Sequence, residues 1–574
     1  MVKMSHMFVK RPPFTGAFLF VLFLLCLQPA IAREGGQAAI ASAHPMATQA
    51  GMEILEAGGN AFDAAVAVTA VLAVVEPYSS GIGGGGFYLL HSASDGHEVM
   101  LDAREKAPLA ATRDMYLDED KQPVKGLSID GALAAGIPGI PAALEELSEE
   151  YGRLPLRQSL AAAIRAAREG FAVDEYYRRM AGFRQEALNA SADASKIFLS
   201  EGGLPGVGEL IKQPDLANTL EQIAAKGKKG FYQGELAQKL VDGVQQAGGI
   251  WTLEDLRDYR LVERKPVRGT YRDMTITAAA PPSSGGVALV QMLNILEGFN
   301  YEQMDELDRT QLVVEAMRRA YRDRAEFLGD PDFFKVPVSR LTDKQYASKQ
   351  AASIQVNRAT PSSELPPVVV DGAKGQDTTH FSIIDSDGNR VSATLSINYP
   401  FGACYVPAGT GVLLNNEMDD FSMKPGVPNV YGLVGAEANA IEPGKRMLSS
   451  MTPVFVENDR RLGILGTPGG SRIITMVLLG TLEFASDAPA SQIVSRGRYH
   501  HQYLPDVIQF EPGAFDTLTQ QALNQMGYTL KAVDHNYGNM QAIVINKQTG
   551  KVEAASDPRG VGEAQVLALP SSTE

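Results

Sequence analysis

The sequence predicts a protein of mixed α and β structure with a core rich in small residues. A stretch at 378–398 alternates polar and apolar residues about a Ser-Asp-Gly turn, which is the signature of a β-hairpin. Segments at 58–75 and between 139 and 329 carry apolar residues at helical spacing. The chain has 56 glycines in 574 residues and 7% aromatic residues, so close approach of backbones is expected.

Residues 1–32 have the pattern of a secretory signal peptide. Three basic residues precede an apolar run at 17–27, and Ala-Ile-Ala follows at 30–32. Cleavage is expected after Ala32, and it is favoured over a membrane anchor because the apolar run is short. The mature protein is therefore expected to be periplasmic or secreted.

Charge and cysteine content exclude several classes of function. The formal net charge is -15, and it becomes -18 when the leader is removed with its three basic and no acidic residues. Such an acidic chain is not expected to bind nucleic acid. Cys404 is the one cysteine of the expected mature chain, so no intrachain disulfide can form. No zinc-ligand spacing occurs, and neither a metal nor a cofactor is expected.

The chain before the hairpin is expected to be mainly helical. The glycine run at 83–86 follows an Ala/Val-rich helix, and no Gly-Lys-Ser/Thr sequence follows it, so tight packing is favoured over a phosphate loop. Thr252 begins another helix, and Trp251 is expected in the core. The Pro-Pro-Ser-Ser-Gly-Gly motif at 281–286 opens a further helix and is given a structural role. Residues 351–376 are expected to form an exposed segment.

The hairpin register follows from its turn. A three-residue loop with Gly388 in the left-handed position pairs Asp385 with Asn389 and sets Thr378 opposite Ser396. Directly facing residues have Cβ atoms roughly 4.5–5.5 Å apart, so the two hydroxyls could reach each other. The register also sorts the side chains into a polar and an apolar face. The polar face comprises Thr378, His380, Ser382, Ser392, Thr394, Ser396 and Asn398, and the apolar face comprises Phe381, Ile383, Val391, Ala393, Leu395 and Ile397.

Thr378 is a candidate nucleophile. A threonine hydroxyl needs a base beside it, and the α-amine of an N-terminal residue, with a pKa near about 8, can serve as that base. Because Thr378 is internal, this chemistry requires cleavage between Asp377 and Thr378. From the local residues alone, an ordinary surface hairpin is the favoured alternative.

Further polar groups follow the hairpin, and each has a plain structural alternative. Glu417, Asp419 and Asp420 could be calcium ligands or a solvated turn, and the Pro/Gly-rich loop at 424–435, with Tyr431, could be a mobile lid. Gly469 and Gly470 precede a helix-like run, where N–H groups are exposed, but a tight turn would also explain them. Ser449 and Ser450 are typical of a polar turn, and His500 and His501 are expected to be structural.

Taken in order, these motifs resemble the gamma-glutamyltranspeptidase family over the whole chain after the leader. The matching segments are GGNAFDAAVA, GGGGFYL, AREKAP, PPSSGG, TTHFS, LLNNEMDDFS, KPGVPNVYGLVG, LSSMTP, GTPGGSRIIT, RYHHQYLPD and DPRG. The resemblance implies an α+β fold, the four-layer αββα sandwich of the N-terminal nucleophile hydrolases.

The resemblance also implies a role for each site residue. Thr378 would be the nucleophile, oriented by Ser396, and Gly469 and Gly470 would hold the oxyanion. Arg104, Ser449 and Ser450 would bind a substrate α-carboxylate, and Asp420, helped by Asn398 and Glu417, would bind its α-ammonium. Some members of the family carry Gln at the position of Glu417, which is treated as a tolerated variation. Tyr431 would belong to a lid over this pocket, a loop that some members of the family lack.

The implied product is an autoprocessed enzyme. Residues 33–377 would form a large subunit and 378–574 a small subunit, intertwined as one heterodimer. The enzyme would cleave glutathione and other γ-glutamyl compounds through a threonyl ester and transfer the glutamyl group to water, an amino acid or a dipeptide. The alternatives are an acylase for β-lactam side chains, a γ-polyglutamate hydrolase, a noncatalytic exported binding protein and a proteasome-like threonine protease. Asp420 and the Tyr431 loop argue against the first two.

Overall fold

The computed structural model describes residues 36–366, 378–424, 427 and 429–568. The expected signal peptide at 1–32, residue Asp377 and three positions of the expected lid (425, 426 and 428) lie outside these residues. In the described part of the chain the strands are β1 (Gln37–Ser42), β2 (Gly85–His91), β3 (Glu98–Asp102), β4 (Phe171–Ala172), β5 (Leu210–Ile211), β6 (Val262–Arg264), β7 (Val267–Tyr271), β8 (Met274–Ala278), β9 (Thr379–Ile384), β10 (Arg390–Ser396), β11 (Val454–Glu457), β12 (Arg461–Gly466), β13 (Tyr499–His500), β14 (Ile508–Phe510), β15 (Leu530–Ala532), β16 (Gln541–Asn546), β17 (Val552–Ser556) and β18 (Glu563–Ala568).

The α-helices surround these strands and are joined by several single 3-10 or π turns. Over the same described residues the helices are α1 (Pro45–Glu56), α2 (Ala61–Val75), α3 (Ile140–Glu146), α4 (Leu156–Ser159), α5 (Ala161–Glu169), α6 (Glu175–Ala190), α7 (Ala192–Phe198), α8 (Pro214–Lys226), α9 (Lys229–Tyr232), α10 (Gly234–Gln246), α11 (Leu253–Arg257), α12 (Gly285–Leu296), α13 (Glu306–Phe327), α14 (Val338–Leu341), α15 (Lys344–Ala352), α16 (Ile473–Ala485), α17 (Ala490–Ser495) and α18 (Thr517–Gln525).

Two antiparallel sheets face each other at the centre. The first has the strand order β18-β1-β9-β10-β2-β3-β6, and the second has the order β17-β16-β12-β11-β8-β7. The polar face of the hairpin meets the second sheet: the Ser382 hydroxyl donates to Ile464 O at 3.3 Å, and the Ser392 hydroxyl donates to Leu465 O at 3.1 Å. Hydroxyl groups that bond to backbone carbonyls therefore help to join the two sheets.

Helices cover the outer face of each sheet. The apolar face of the hairpin packs with α2 in one buried cluster, whereas α12 and α16 pack with β11, β12 and β16 in a second cluster. Both clusters are rich in Ala, Val, Leu and Ile, as expected from the composition. The expected αββα sandwich is confirmed.

Several local expectations are also confirmed. Helix α2 begins at a capping box in which Asn60 and Asp63 bond reciprocally, and Thr252 forms the same box at the start of α11. Trp251 is fully buried, and its Nε1 donates to Ala135 O at 2.9 Å. The helical run at 156–170 is divided between α4 and α5 at Leu160.

The region at 139–329 also contains strands that the sequence analysis did not predict. Strands β7 and β8 form a hairpin in which Tyr271 pairs with Met274, so its loop is Arg272-Asp273. Arg272 has φ of 56°, a conformation usually taken by Asn or Gly at such turns. The sequence therefore carries no recognisable signal for this turn.

Candidate active site

Thr378 stands at the start of the central hairpin, and the predicted register is confirmed. The β9–β10 ladder runs from Ile384 with Arg390 to Thr379 with Leu395, so the next facing pair is Thr378 and Ser396. Asp385 N–H donates to Asn389 O at 3.1 Å, and Gly388 has φ of 93°, as the three-residue loop requires. Both Thr378 and Ser396 are buried, and the Ser396 Oγ accepts from the Asn398 N–H at 2.7 Å.

The residue after Thr378 is anchored from the opposite face of the sheet. Thr379 Oγ1 donates to Glu76 Oε2 at 2.7 Å, directly after the last turn of α2. Burial raises the pKa of Glu76 to about 7, and the hydrogen bonds from Thr379 and Tyr78 oppose this rise. The start of β9 is therefore held between helix α2 and strand β10.

The glycine run at 83–86 allows other segments of the chain to pack closely against it near the site, as predicted. A Cβ atom on Gly84 would lie 2.3 Å from Ser396 O, and a Cβ atom on Gly85 would lie 2.4 Å from Glu105 Oε2. Any side chain at these positions would push β10 or Glu105 away. Because the glycines lack side chains, the Ser396 backbone and the segment around Arg104 both pack directly against the backbone of this run.

Arg104 is the centre of a buried ion cluster. Its Nη1 lies 2.5 Å from Glu417 Oε2, and its Nη2 lies 2.6 Å from Asp420 Oδ2. The neighbouring carboxyl of Glu105 is 3.6 Å from Nη1. The guanidinium also donates from Nε to Met447 O at 3.2 Å. The resemblance assigned the two ends of the expected zwitterion site to residues more than 300 positions apart, and the structure brings these residues into direct contact.

Three carboxyl groups compete for this one guanidinium, and their pKa values move accordingly. Burial raises the pKa of Glu417 to about 7, with Arg104 opposing the rise and Asp420 adding to it. Burial and then the charge of Glu417 raise the pKa of Glu105 well above its usual value. Burial also raises the pKa of Asp420, against the attraction of Arg104. Burial therefore favours the neutral form of Glu105, whereas the carboxyl groups of Asp420 and Glu417 contact Arg104 directly.

Ser449 and Ser450 directly follow the segment that Arg104 contacts. The Ser449 Oγ accepts from the Met451 N–H at 3.1 Å, and the Ser450 Oγ accepts from Arg324 Nη2 at 3.1 Å. Arg324 also donates from Nε to Ser284 Oγ at 3.0 Å. No role was predicted for Arg324, which lies in none of the matching motifs, or for Glu105, which lies beside Arg104 in the AREKAP motif.

The described part of the expected lid lies closed over the site. The Tyr431 hydroxyl donates to Asn398 O, and Asn429 Nδ2 donates to Asp420 Oδ1 at 2.8 Å. A Cβ atom on Gly470 would lie 2.5 Å from the Tyr431 ring, so this ring covers the glycine pair. Asn398 has φ of 74° and donates from Nδ2 to Asn416 O at 2.9 Å. The lid thus touches the hairpin, the acidic turn and the glycine pair together.

Gly469 and Gly470 lie where the chain turns into α16. Their φ angles are 140° and 55°, which favour glycine, and a 3-10 turn at Gly470–Arg472 leads directly into the helix. The first N–H groups of such a run have no acceptor within the helix. The pair therefore presents backbone donors under the Tyr431 ring.

The histidines lie outside this cluster and are bonded within the protein. His500 contacts Thr475 and Gln502 at 2.9 and 2.8 Å, and His501 contacts Asp506 at 3.1 Å. Within the described ranges, no group of three or more His, Cys, Asp or Glu side chains is arranged to hold a metal ion. No helix of the described chain is both long and apolar enough to span a bilayer.

Comparison with known proteins gives a consistent result. The family model described as gamma-glutamyltranspeptidase matches residues 47–567. The glutathione hydrolase proenzyme of Escherichia coli strain K12 is 42% identical over 534 residues, covering 92% of this chain and 91% of that protein. The solved structure of a cephalosporin acylase from Bacillus halodurans has a TM-score of 0.82 at 29% identity and covers 92% of this chain and 96% of that one. The gamma-glutamyltranspeptidase of Helicobacter pylori has a TM-score of 0.55 at 42% identity, over 57% of this chain and 94% of that one.

Proposed function

The chain belongs to the gamma-glutamyltranspeptidase family of hydrolases and transferases, and on that basis we propose that it is an autoprocessed enzyme acting on glutathione and related γ-glutamyl compounds. The substrate is taken from the name of the Escherichia coli relative, which is 42% identical. The observation that carries the proposal is the position of Thr378 opposite Ser396. Ser396 bonds to Asn398, and Asn398 contacts the lid, which also covers the charged cluster.

The first stage is cleavage of the chain itself. The Thr378 hydroxyl attacks the carbonyl carbon of Asp377 and forms an ester, while the Asp377–Thr378 C–N bond breaks and the nitrogen leaves as the Thr378 amine. Water then hydrolyses the ester and restores the hydroxyl. The products are a large subunit (33–377) and a small subunit (378–574), which remain associated as a heterodimer.

The second stage uses the amine released by the first. The α-amine of Thr378 accepts the hydroxyl proton as the oxygen attacks the γ-carbonyl of the donor. The N–H groups of Gly469 and Gly470 stabilise the oxyanion, and Ser396 orients the nucleophile. The scissile C–N bond then breaks, the leaving amine takes the proton, and the γ-glutamyl ester remains on Thr378. Water, an amino acid or a dipeptide accepts the acyl group in the next step.

The charged cluster supports recognition of a zwitterionic α-carbon. Arg104, with Ser449 and Ser450, would bind the α-carboxylate, and Asp420, with Asn398 and Glu417, would bind the α-ammonium. In the structure these opposite charges pair with each other at 2.5 and 2.6 Å. A zwitterion can replace that internal pairing without leaving a buried charge unpaired. A substrate lacking either charge would leave one partner unsatisfied, which costs about 1–3 kcal/mol or more for an ion.

The decisive experiment examines maturation and substrate preference in the same preparation. Intact mass spectrometry should find two fragments, one beginning at Thr378 and the other at Arg33. The purified enzyme should hydrolyse a γ-glutamyl anilide, and the Thr378→Ala variant should remain one chain and be inactive. A single uncut but stable chain without turnover would instead support a noncatalytic exported binding protein.

An acylase is the second candidate, because a cephalosporin acylase is a structural neighbour with a TM-score of 0.82. A glutaryl amide carries no α-ammonium, so an acylase site has no need of the Asp420 and Glu417 charges that Arg104 holds here. Comparing kcat/KM for a γ-glutamyl anilide and a glutaryl anilide separates the two functions. A preference for the glutaryl compound would support the acylase. A γ-polyglutamate hydrolase or a threonine protease would instead favour polymeric γ-glutamate or unmodified peptides.

Export completes the proposal. The pattern at 1–32 supports a cleaved signal peptide and a periplasmic or secreted enzyme. Fusion of residues 1–40 to a reporter that is active only outside the cytoplasm tests this directly.

A further inference from the structure

Arg324 is a buried cation that touches the proposed substrate pocket. It lies near the end of α13, and 4% of its surface is exposed. Its guanidinium donates to two serine hydroxyls, from Nε to Ser284 at 3.0 Å and from Nη2 to Ser450 at 3.1 Å. Ser450 is one of the two serines assigned above to the α-carboxylate. Arg324 thus reaches the carboxylate end of the pocket through Ser450.

The partners of Arg324 differ from those of its neighbours on the same helix. Arg318 pairs with Asp506, and Arg319 pairs with Glu315 at 2.5 Å. Across the described ranges, no carboxylate lies within 4.0 Å of Arg324. Burial lowers the pKa of Arg324, and Tyr321 and the more distant charge of Asp420 oppose this only in part. A buried cation without a paired anion is costly, so the place beside Arg324 favours an anionic ligand.

Arg324 also fixes the direction of the hydrogen bond at Ser450. A guanidinium has only donor groups, so a hydroxyl in contact with it must accept and must direct its own proton elsewhere. The Ser284 hydroxyl, held in the same way, donates to Ser449 O at 2.6 Å. For Ser450, the described residues supply no acceptor for the hydroxyl proton. Ser450 therefore has a proton to donate to a ligand.

The Pro-Pro-Ser-Ser-Gly-Gly motif explains how this arrangement is held. Ser284 N–H donates to Ser449 O at 2.8 Å. A Cβ atom on Gly285 would lie 2.2 Å from Thr452 Oγ1, so the start of α12 lies directly against the 449–452 segment. Ser284 thereby links Arg324 to the segment that carries both pocket serines. The motif therefore has the structural role predicted for it, at the edge of the proposed substrate site.

We propose that Arg324 is a positioning residue that turns Ser450 into an obligate donor and makes the site selective for donors carrying an α-carboxylate. Arg104 is shared with Glu417 and Asp420 at 2.5 and 2.6 Å, so Arg324 adds a second positive charge at the carboxylate end of the pocket. This inference rests on the proposed function, because it names the part of the substrate that the residue serves.

The test compares two donors on two variants. One donor is γ-glutamyl 4-nitroanilide, and the other is 4-aminobutyryl 4-nitroanilide, which lacks only the α-carboxylate. In Arg324→Gln, KM for the first donor should rise about 10- to 100-fold, as expected for loss of a charge-assisted contact, whereas kcat should change little. The kcat/KM for the second donor should be unchanged. Arg324→Lys, which keeps a cationic donor, should restore most of the affinity.

Arg319→Gln is the matched control, because it removes another buried arginine from the same helix, one that bonds to Glu315 instead of to the pocket. It should leave the preference between the two donors unchanged. If Arg324→Gln fails to fold or mature, Ser284→Ala provides the same test through the linked hydroxyl, with an expected fall of about threefold or more in the preference for the carboxylate-bearing donor. An equal loss toward both donors, or no loss, would overturn the role of Arg324. If the unmodified enzyme hydrolyses neither donor, the proposed function itself fails.

Discussion

The buried carboxyl of Glu417 should make stability depend on pH in a way that Glu417→Gln removes. The substitution keeps the size of the side chain and removes one charge from the cluster around Arg104, where Oε2 lies 2.5 Å from Nη1. Burial raises the pKa of Glu417 from 4.5 to about 7 in the folded protein. The folded state therefore holds a proton that the unfolded chain releases at lower pH. This contribution to stability is complete below pH 4.5 and is lost as the pH rises through 7.

The magnitude follows from proton linkage. Each pH unit in this window lowers the free energy of unfolding by about 1.4 kcal/mol, so the loss approaches roughly 3 kcal/mol between pH 4.5 and 7. For a chain of this length the entropy of unfolding is about 1 kcal/mol per degree, which converts the loss to about 3 °C in Tm. This is the largest expected difference, because Glu105 takes over part of the titration when the charge of Glu417 is removed.

The assay is Tm by calorimetry at half-unit steps from pH 5 to 8 for both proteins. The Tm of the unmodified enzyme minus that of Glu417→Gln should fall as the pH rises from 5 to about 7 and then level off. Glu437→Gln is the control, because it removes an acidic side chain that is 70% exposed and pairs with Arg113 at the surface. A flat difference curve for Glu417→Gln, or an equal slope for both variants, would refute the assigned protonation of the cluster.

Substitutions at three positions test the chemistry. Thr378→Ala should give one uncut band on a denaturing gel and should lower γ-glutamyl hydrolysis at least about 1,000-fold, whereas Thr378→Ser should still mature. A Thr378→Ala variant that is cleaved and active would show that Thr378 is not the nucleophile. Asp420→Asn should raise KM for the γ-glutamyl anilide about 100-fold, because it weakens the contact to the substrate ammonium. The much slower reaction of the glutaryl anilide, which has no ammonium, should be unchanged. An equal effect on both donors would contradict the role assigned to Asp420. Gly470→Ala should lower kcat about 10- to 100-fold, since the new Cβ would lie 2.5 Å from the Tyr431 ring at a φ of 55°. Gly513→Ala, in open space at a similar positive φ, is the matched control for backbone strain, and an equal loss in both would show that the lid contact is irrelevant.

The part of the fold that could be predicted from the sequence is the part with local signals. The Asp385–Gly388 turn set the register of the central hairpin and therefore the pair of Thr378 and Ser396. The helical spacing of apolar residues at 58–75 marked α2, and the structure places the start of this helix at the Asn60 cap. The β7–β8 hairpin was missed because its Arg272-Asp273 turn lacks the Asn-Gly or Asp-Gly pair typical of such turns, and the pairing of β8 with β11 in the second sheet stabilises it instead.

The candidate site was predicted through resemblance to a family, and local chemistry alone would not have assembled it. The resemblance assigned Arg104 and Asp420 to opposite ends of a substrate, whereas the structure places them in contact at 2.6 Å. Arg324 could not be found, because an arginine on an amphipathic helix usually lies at the surface. Its burial depends on Ser284 and Ser450, two loop residues brought there by the fold of the whole chain.

The order of strands has a consequence for a chain cut before Thr378. In the first sheet, β9 and β10 would belong to one fragment and would lie between β1 and β2 of the other, while β18 would border β1 from the far side. In the second sheet, β11 would border β8 across the same division. Separating the fragments would require breaking the strand pairing in both sheets, so the fragments should not dissociate on dilution or exchange subunits. Fragments synthesised separately would each lack strands of both sheets, so neither would have a folded surface that could bind the other.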